Sequence, residues 1–217
     1  MKPPPWTRAQ VFGLCAMSLA VFAIANDFTA PTVSLPSIEK HFGADVTTGQ
    51  WVINGYTLIF AVLIVTGGRL ADLFGRRRVF FVGATLFAGF SLAVGLSPDI
   101  GVLLAGRGLM GIGGSLVWPA ILGMTFVLTP GRSGFAGALV LGVAGIGATV
   151  GPMLGGALTD SVGWRWIFFL NLPIMSLAAL VTWRSIPAEG PSHRERIDYG
   201  GVATLSIGLL ALMIGLD

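Results

Sequence analysis

Charged residues are scarce in this 217-residue sequence. Asp, Glu, Lys and Arg together make up 11% of it, hydrophobic residues make up 54%, and the mean hydropathy is +0.83. A soluble domain carries about 25% charged residues. Too few charges remain here to solvate the surface of a globular protein, so lipid must cover much of it. The composition therefore predicts a membrane protein, and a soluble domain fits nowhere in the chain.

Residues that bind metals or cofactors are also few. Cys15 is the only cysteine, which excludes an internal disulfide and a multi-cysteine metal site. His41 and His193 are isolated in predicted loops. The run Gly106–Gly111 matches the dinucleotide fingerprint G-x-G-x-x-G, but it lies inside an apolar segment and does not follow a strand. We therefore expect no metal, no cofactor and no enzymatic activity.

Long apolar runs dominate the chain. A spanning helix needs roughly 20 mainly apolar residues. Runs of about that length fall at 11–36, 51–71, 79–97, 101–128, 134–158 and 164–186. The sequence thus predicts a six-helix membrane bundle over 1–186, a polar loop over 187–198, and the start of a seventh spanning helix over 199–217, which is still apolar where the chain stops.

The start of the chain permits a second interpretation. Lys2 and Arg8 precede the apolar run Val11–Ala25, which ends in the A-x-A form of a signal cleavage site. Against a cleaved signal, the apolar pattern continues past Asp27 to Leu35, which gives a length that spans the membrane.

The basic residues predict the orientation. A net charge of +3 and a pI near 9.6 do not indicate nucleic-acid binding here, because the basic residues form short clusters between apolar runs. With the amino terminus inside, only Lys40 and Arg165 fall outside, and Arg107 lies within the fourth run. All other basic residues fall in inner segments: Lys2, Arg8, Arg69, Arg76, Arg77, Arg78, Arg132, Arg184, Arg194 and Arg196. This asymmetry predicts a cytoplasmic amino terminus. Tryptophans are then expected as interface anchors, Trp51, Trp164 and Trp166 outside and Trp183 inside.

The turn between the second and third runs carries a specific motif. Residues 67–78 read GGRLADLFGRRR, in which Gly75 permits a tight reversal and the arginines face anionic headgroups. An anchoring role explains the arginines but not Asp72 beside them. The run resembles the G-x-L-A-D-x-x-G-R-[KR] signature of the major facilitator superfamily, although Leu73 stands where a basic residue is frequent. The resemblance implies a latch of the cytoplasmic gate, formed by Gly68, Asp72, Gly75, Arg76 and Arg77.

The fifth run carries a strip of glycines. Residues 147–156 read GATVGPMLGG, and three of the glycines recur every four residues, which lets a neighbouring helix approach closely. The spacing resembles the G-x-x-x-G-P-x-x-G-G motif that marks antiporters within this superfamily. Its residues here are Gly147, Gly151, Pro152, Gly155 and Gly156. Pro152 removes one helical hydrogen bond and is expected to bend the helix.

Two ionisable residues fall inside spanning runs. Asp27 is costly in a membrane, so its default interpretation is functional, and residues 26–36 resemble the D-x-T-x-x-x-x-x-L-P pattern of the fourteen-helix drug:proton antiporters. At about 1.5 Å per residue, Asp27 and Arg107 lie at similar depth in the outer half of the membrane, so an ion pair is feasible. Two alternatives stay open: Asp27 caps a short helix, or Arg107 only snorkels to the surface.

The fourth and sixth runs extend the resemblance. Residues 107–113 are similar to the R-x-x-Q-G-x-G motif linked to proton coupling. Met110 stands where glutamine is usual, so any hydrogen bond from that position should be absent. Trp118 in the fourth run is a possible substrate contact, or a packing residue. Residues 164–173 resemble the W-R-W-I-F-x-x-N-x-P run of the fourteen-helix branch.

These motifs together imply an all-α major facilitator fold and the amino-terminal half of a multidrug:proton antiporter in the plasma membrane. The implied coupling residues are Asp27 and Arg107. The implied partners are protons, a small-molecule substrate, membrane lipids and the missing carboxy-terminal half. Proton-coupled uptake on the same fold is one alternative, and a non-transporting truncated membrane protein is another.

Overall fold

The computed structural model describes residues 5–187 together with Thr204 and Gly208. Within residues 5–187, six α-helices are long and apolar enough to cross a membrane. They are α1 (Arg8–Phe42), α2 (Val46–Phe74), α3 (Arg76–Gly95), α4 (Ile100–Leu128), α5 (Ser133–Ser161) and α6 (Arg165–Ser185). Each predicted apolar run falls on one helix, so the all-helical prediction is confirmed. The predicted loop over 187–198 and the predicted seventh helix over 199–217 lie outside the described residues, apart from Pro187, Thr204 and Gly208.

Short polar side chains cap the first turns of three helices, α1, α2 and α4. Thr7 caps α1 through a capping box with Gln10, and Asp99 caps α4 by accepting from the Val102 amide at 2.9 Å. Asp45 caps α2 in the same way. Two hydrogen bonds from Thr48 lower the pKa of the exposed Asp45 carboxyl; the larger effect comes from the Thr48 side chain and the smaller from its backbone amide. These caps satisfy amide groups that the first helical turn leaves without partners.

Helix α1 lies at the centre of the bundle. It packs along α5 and α6 and also touches α2 and α4, while α4 packs along α2 and α3. It runs without a break from Arg8 to Phe42, so a cut after Ala25 would divide one continuous helix. The helix therefore supports the spanning interpretation over the signal sequence. Helices α2 and α5 have the least buried spanning segments of the six, so each leaves a broad face open.

One expected interface anchor is buried instead. Trp164 is 5% exposed because its ring packs edge-on against Phe168 and lies beside the rings of His41 and Phe42. Its assignment as an exposed interface anchor was wrong. The other three tryptophans of that prediction are exposed, as anchors would be: Trp51, Trp166 and Trp183.

Candidate functional site

The two ionisable residues of the spanning runs form a buried ion pair. Arg107 Nη1 of α4 donates to Asp27 Oδ2 of α1 at 2.6 Å, and both side chains are completely inaccessible to solvent. Asp27 lies near the middle of the 35-residue α1, so it caps no helix end. Arg107 does not reach the surface either. The structure therefore excludes both alternatives that the sequence left open and brings the predicted pair into direct contact.

Helix α2 completes the surroundings of the guanidinium. Arg107 Nε donates to the backbone carbonyl of Val52 at 2.7 Å, and Arg107 Cζ lies 4.4 Å from the centroid of the Tyr56 ring. The Phe168 ring of α6 lies 5.6 Å away. Cation–π contacts of this kind help to hold a desolvated guanidinium. Arg107 Nη2 donates to no group in the described part of the chain.

Met110 also contacts the guanidinium. Its sulfur lies 3.9 Å from Arg107 Nη1, one turn further along α4. The expectation that this position makes no hydrogen bond was wrong, because the thioether sulfur is itself a weak acceptor. A weak acceptor leaves the Asp27 carboxylate as the strong partner of Arg107.

Sequence reasoning missed the partner of the second carboxylate oxygen. Asn171 Nδ2 of α6 donates to Asp27 Oδ1 at 2.9 Å and to Ser91 Oγ of α3 at 3.1 Å. Ser91 Oγ in turn donates to the Phe168 carbonyl at 2.8 Å. We call Asp27, Arg107, Asn171 and Ser91 the buried polar network. The sequence analysis includes Asn171 only as part of the motif over residues 164–173 and does not include Ser91. An amide side chain inside an apolar run indicates a buried hydrogen-bond partner and could have identified Asn171.

The network links four helices through groups that have no access to water. Taking two charges out of water costs several kcal/mol per ion, and removing one partner of such a pair leaves an uncompensated charge. Ionisable groups inside spanning segments are therefore rare and usually functional. Chemically, a proton on Asp27 would cancel the attraction to Arg107, so this arrangement can convert proton binding into a change of helix contacts.

The glycine strip of α5 packs against α1 at the level of Asp27. A Cβ at Gly147 would lie 3.0 Å from Ala25 Cβ, and a Cβ at Gly151 or Gly155 would overlap atoms of Thr29 or Ala30. Gly156 is less tightly packed, since its Cβ would lie 3.6 Å from Val33 Cγ1. The helix runs continuously through Pro152. The strip thus sets how closely α5 approaches the helix that carries the carboxylate.

The turn between α2 and α3 contacts α4 and α6 near their carboxyl-terminal ends. Gly75 adopts φ 93°, which L side chains rarely adopt, and permits the reversal. Arg76 Nη1 donates to the Gly123 carbonyl of α4 at 3.1 Å, and Arg77 Nη2 donates to the Trp183 carbonyl of α6 at 2.9 Å. Arg76 also pairs with Asp72 at 3.5 Å, and a Cβ at Gly68 would lie 3.6 Å from Pro119 Cβ. The motif residues therefore join α2 and α3 to α4 and α6 at one end of the bundle.

Trp118 belongs to a row of aromatic rings. It is half-buried and lies edge-on to Phe60 at 6.3 Å between centroids. Phe60 lies 5.0 Å from Phe28, which lies 4.8 Å from Tyr56. We call Trp118, Phe60, Phe28 and Tyr56 the aromatic row. It begins beside Arg107 and extends along α1, α2 and α4. Within the residues that the structure describes, no group of three His, Cys, Asp or Glu side chains could hold a metal.

Six helices of spanning length around a buried carboxylate–guanidinium pair define a multi-pass membrane protein. The sequence profile described as Major Facilitator Superfamily matches residues 17–214. The chain belongs to this superfamily. The family prediction and the fold prediction are both confirmed, and a superfamily of transporters also supports the prediction that the chain is no enzyme.

Three resistance and export proteins resemble this chain over 93% to 100% of its length. It is 36% identical over 219 residues to the tetracenomycin C resistance and export protein of Streptomyces glaucescens, covering 100% of this chain and 40% of that protein. It is 38% identical to a puromycin resistance protein of Streptomyces alboniger, with 93% and 41% covered. A lincomycin resistance protein of Streptomyces lincolnensis is 34% identical, with 97% and 44% covered. The chain therefore spans about two fifths of the length of these relatives.

A solved structure shows the same fold. The crystal structure of a peptide transporter POT in complex with sulfate superposes with a TM-score of 0.71 and 17% identity, covering 95% of this chain and 44% of that one. At this identity the likeness concerns the fold alone.

Proposed function

We propose that this chain forms one half of a proton-coupled exporter of amphipathic small molecules. The observation that carries the proposal is the buried Asp27–Arg107 pair, which places a protonatable carboxylate against a permanent cation inside the bundle. The names of the relatives, which refer to resistance and export, support the direction of transport and the chemical class of substrate. The glycine motif of α5, which resembles that of antiporters, supports the same direction.

Exchange follows from two states of one carboxyl group. With Asp27 ionised, Arg107 is held between the carboxylate and the Val52 carbonyl, and α1 and α4 are tied together. A proton that arrives from outside neutralises Asp27 and releases this tie. The proton leaves on the cytoplasmic side, and the ionised carboxylate is restored for the next cycle. A cationic substrate could take the place of the proton as the partner of the carboxylate, so proton and substrate alternate.

A second half is needed for this cycle. Transporters of this superfamily bind substrate between two six-helix halves that rock against each other. The described bundle supplies one wall, and the chain spans about two fifths of its relatives. We therefore expect the activity only when this chain is joined to, or assembled with, a second half. We call this assembly the complete transporter.

The aromatic row is proposed as part of the substrate wall. Trp118 and Phe28 are half-buried, so their rings leave area available for contact, and the row ends next to the ion pair. Aromatic faces bind planar and cationic groups without strict shape requirements. This suits an exporter of amphipathic compounds.

The orientation proposed for the plasma membrane places the amino terminus in the cytoplasm. Single cysteines at Thr47 and Ser192, in a Cys15→Ser background, should then lie on opposite sides of the membrane. Thr47 follows α1 and Ser192 lies in the polar stretch after α6, so the proposed orientation puts Thr47 outside and Ser192 inside. In intact cells a membrane-impermeant maleimide should label the cysteine at 47 and not the one at 192. Labelling only at 192 would mean that the orientation is inverted.

The direction of coupling separates export from its alternatives. Everted vesicles with the complete transporter and an acidic interior should accumulate puromycin, the compound for which one relative is named, and a protonophore should abolish the accumulation. A proton-coupled uptake system would instead be driven by the opposite gradient. Vesicles that show no gradient-dependent movement of puromycin, tetracenomycin C or lincomycin would support a non-transporting role and contradict the proposal.

A further inference from the structure

The amide of Asn171 donates two hydrogen bonds and accepts none within the described residues. It is completely buried, and its two amide hydrogens are directed to Asp27 and Ser91. Its carbonyl oxygen Oδ1 accepts from no group in the described part of the chain. A buried acceptor without a partner costs free energy, so such a group in a native fold calls for an explanation.

The chemistry of Asp27 supplies that explanation. An ionised carboxylate only accepts hydrogen bonds, so Asn171 must present its NH₂ group to it. A protonated carboxyl carries a donor O–H, which an amide carbonyl can accept. Rotation of the amide by about 180° exchanges the two groups at nearly the same place, because an amide has similar size on both sides. Ser91 can follow, since a hydroxyl group donates as readily as it accepts.

We propose that Asn171 is a positioning residue that senses the protonation state of Asp27. With Asp27 ionised, Asn171 donates to it, and Ser91 accepts from Asn171 while donating to the Phe168 carbonyl. With Asp27 protonated, the amide turns, Oδ1 accepts from the carboxyl, and the Ser91 hydroxyl turns to donate to Oδ1. The two hydrogen bonds of Asn171, to α1 and to α3, thus reverse direction together, and Ser91 gives up its bond to the Phe168 carbonyl. This inference rests on the proposed function, in which Asp27 carries the proton.

Few charged groups surround this reversal. Among the described residues that face Asp27, α4 contributes the cation Arg107 and α2 contributes the titratable Tyr56, whose ring lies against Arg107. Helices α3 and α6 contribute the neutral Ser91 and Asn171, and α5 faces α1 with its glycine strip. Asp27 is therefore the carboxyl group whose proton Asn171 would sense.

Nuclear magnetic resonance of the chain in lipid nanodiscs tests the inference directly. The sequence contains three asparagines, Asn26, Asn54 and Asn171, so ¹⁵N-asparagine labelling gives few side-chain signals, and Asn171→Leu identifies one by its loss. The Asn171 signal should change with pH in step with the ¹³C signal of the Asp27 carboxyl carbon. The exposed Asn54 serves as the reference that should not change. In Asp27→Asn the change of the Asn171 signal should disappear.

Two outcomes separate the inference from the function on which it rests. If the Asp27 carboxyl titrates while the Asn171 signal stays constant, or if the Asn171 change persists in Asp27→Asn, the sensing role is wrong and the proton site stands. If the Asp27 carboxyl does not titrate while the protein stays folded, both proposals are wrong.

Transport by the complete transporter supplies the second readout. Asn171→Leu keeps a similar volume but removes the amide group. That group donates to a charged acceptor only while Asp27 is ionised, so its loss disfavours the ionised state. The pH profile of proton-driven efflux should therefore move toward higher pH by about one unit, equivalent to about tenfold in proton binding. Asn171→Gln keeps an amide and should restore part of the shift. An unchanged pH profile in Asn171→Leu would contradict the sensing role.

Discussion

Asp27→Asn is expected to reduce proton-driven efflux by the complete transporter to the background of vesicles that lack it. Asparagine has nearly the same shape as aspartate, but it binds no proton, so the exchange cycle has no carrier for the proton. Accumulation of puromycin in everted vesicles measures the effect. The protein should still reach the membrane, because the amide oxygen can accept one hydrogen bond from Arg107.

Two controls separate coupling from folding. Asp160→Asn makes the same chemical change at an exposed position near the end of α5, and it should retain wild-type efflux. Since Asp27→Asn leaves Arg107 without its counter-charge, the double variant Asp27→Asn with Arg107→Gln replaces the pair by two neutral amides and should recover any lost folded yield. If the double variant recovered efflux as well as yield, the pair would be structural.

Gly155→Ala should destabilise the bundle more than alanine at any position on the open face of α5. The added Cβ would overlap the backbone carbonyl of Ala30, which cannot rotate away, so α5 must move from α1. Overpacking of this kind costs typically about 1–3 kcal/mol. Because α1 also carries Asp27, efflux by the complete transporter should fall as well. Thermal unfolding of the detergent-solubilised chain measures the first effect.

Gly145→Ala is the matched control on the same helix. A Cβ at Gly145 meets nothing within 4 Å among the described residues, and alanine favours helices over glycine by about 1 kcal/mol. The chain with Gly145→Ala should therefore be as stable as the wild type or slightly more stable. Gly151→Leu adds far more volume against Thr29 and should prevent folding. Wild-type stability in both Gly155→Ala and Gly151→Leu would mean that the strip does not pack on α1.

The fold was readable from the sequence because spanning helices leave a strong signal. About 20 apolar residues are enough to predict each helix, and the glycine at position 75 predicts the tight turn between α2 and α3. The proximity of Asp27 and Arg107 could also be predicted from the sequence. The rise per residue of a helix gives the depth of each side chain in the membrane, and charges at that depth are usually paired.

The rest of the site depends on how helices rotate about their own axes. Depth in the membrane does not predict that Asn171 lies beside Asp27 or that Trp164 is buried. All faces of an apolar helix have a similar composition, so the sequence does not show which face packs inward. Met110 illustrates a chemical limit: replacement of glutamine suggested a lost hydrogen bond, yet the flexible thioether reaches Arg107 from the same position. Tertiary packing decides such contacts.

The central claim, that Asp27 carries the exchanged proton, can be tested by counting protons. Purified complete transporter in lightly buffered detergent solution should release protons when puromycin binds, with a release that depends on pH. Asp27→Asn should release none, although it should still bind a neutral substrate, since only a cation loses its partner. Proton release at the wild-type level in Asp27→Asn would contradict the account and leave the buried pair as a structural link between α1 and α4.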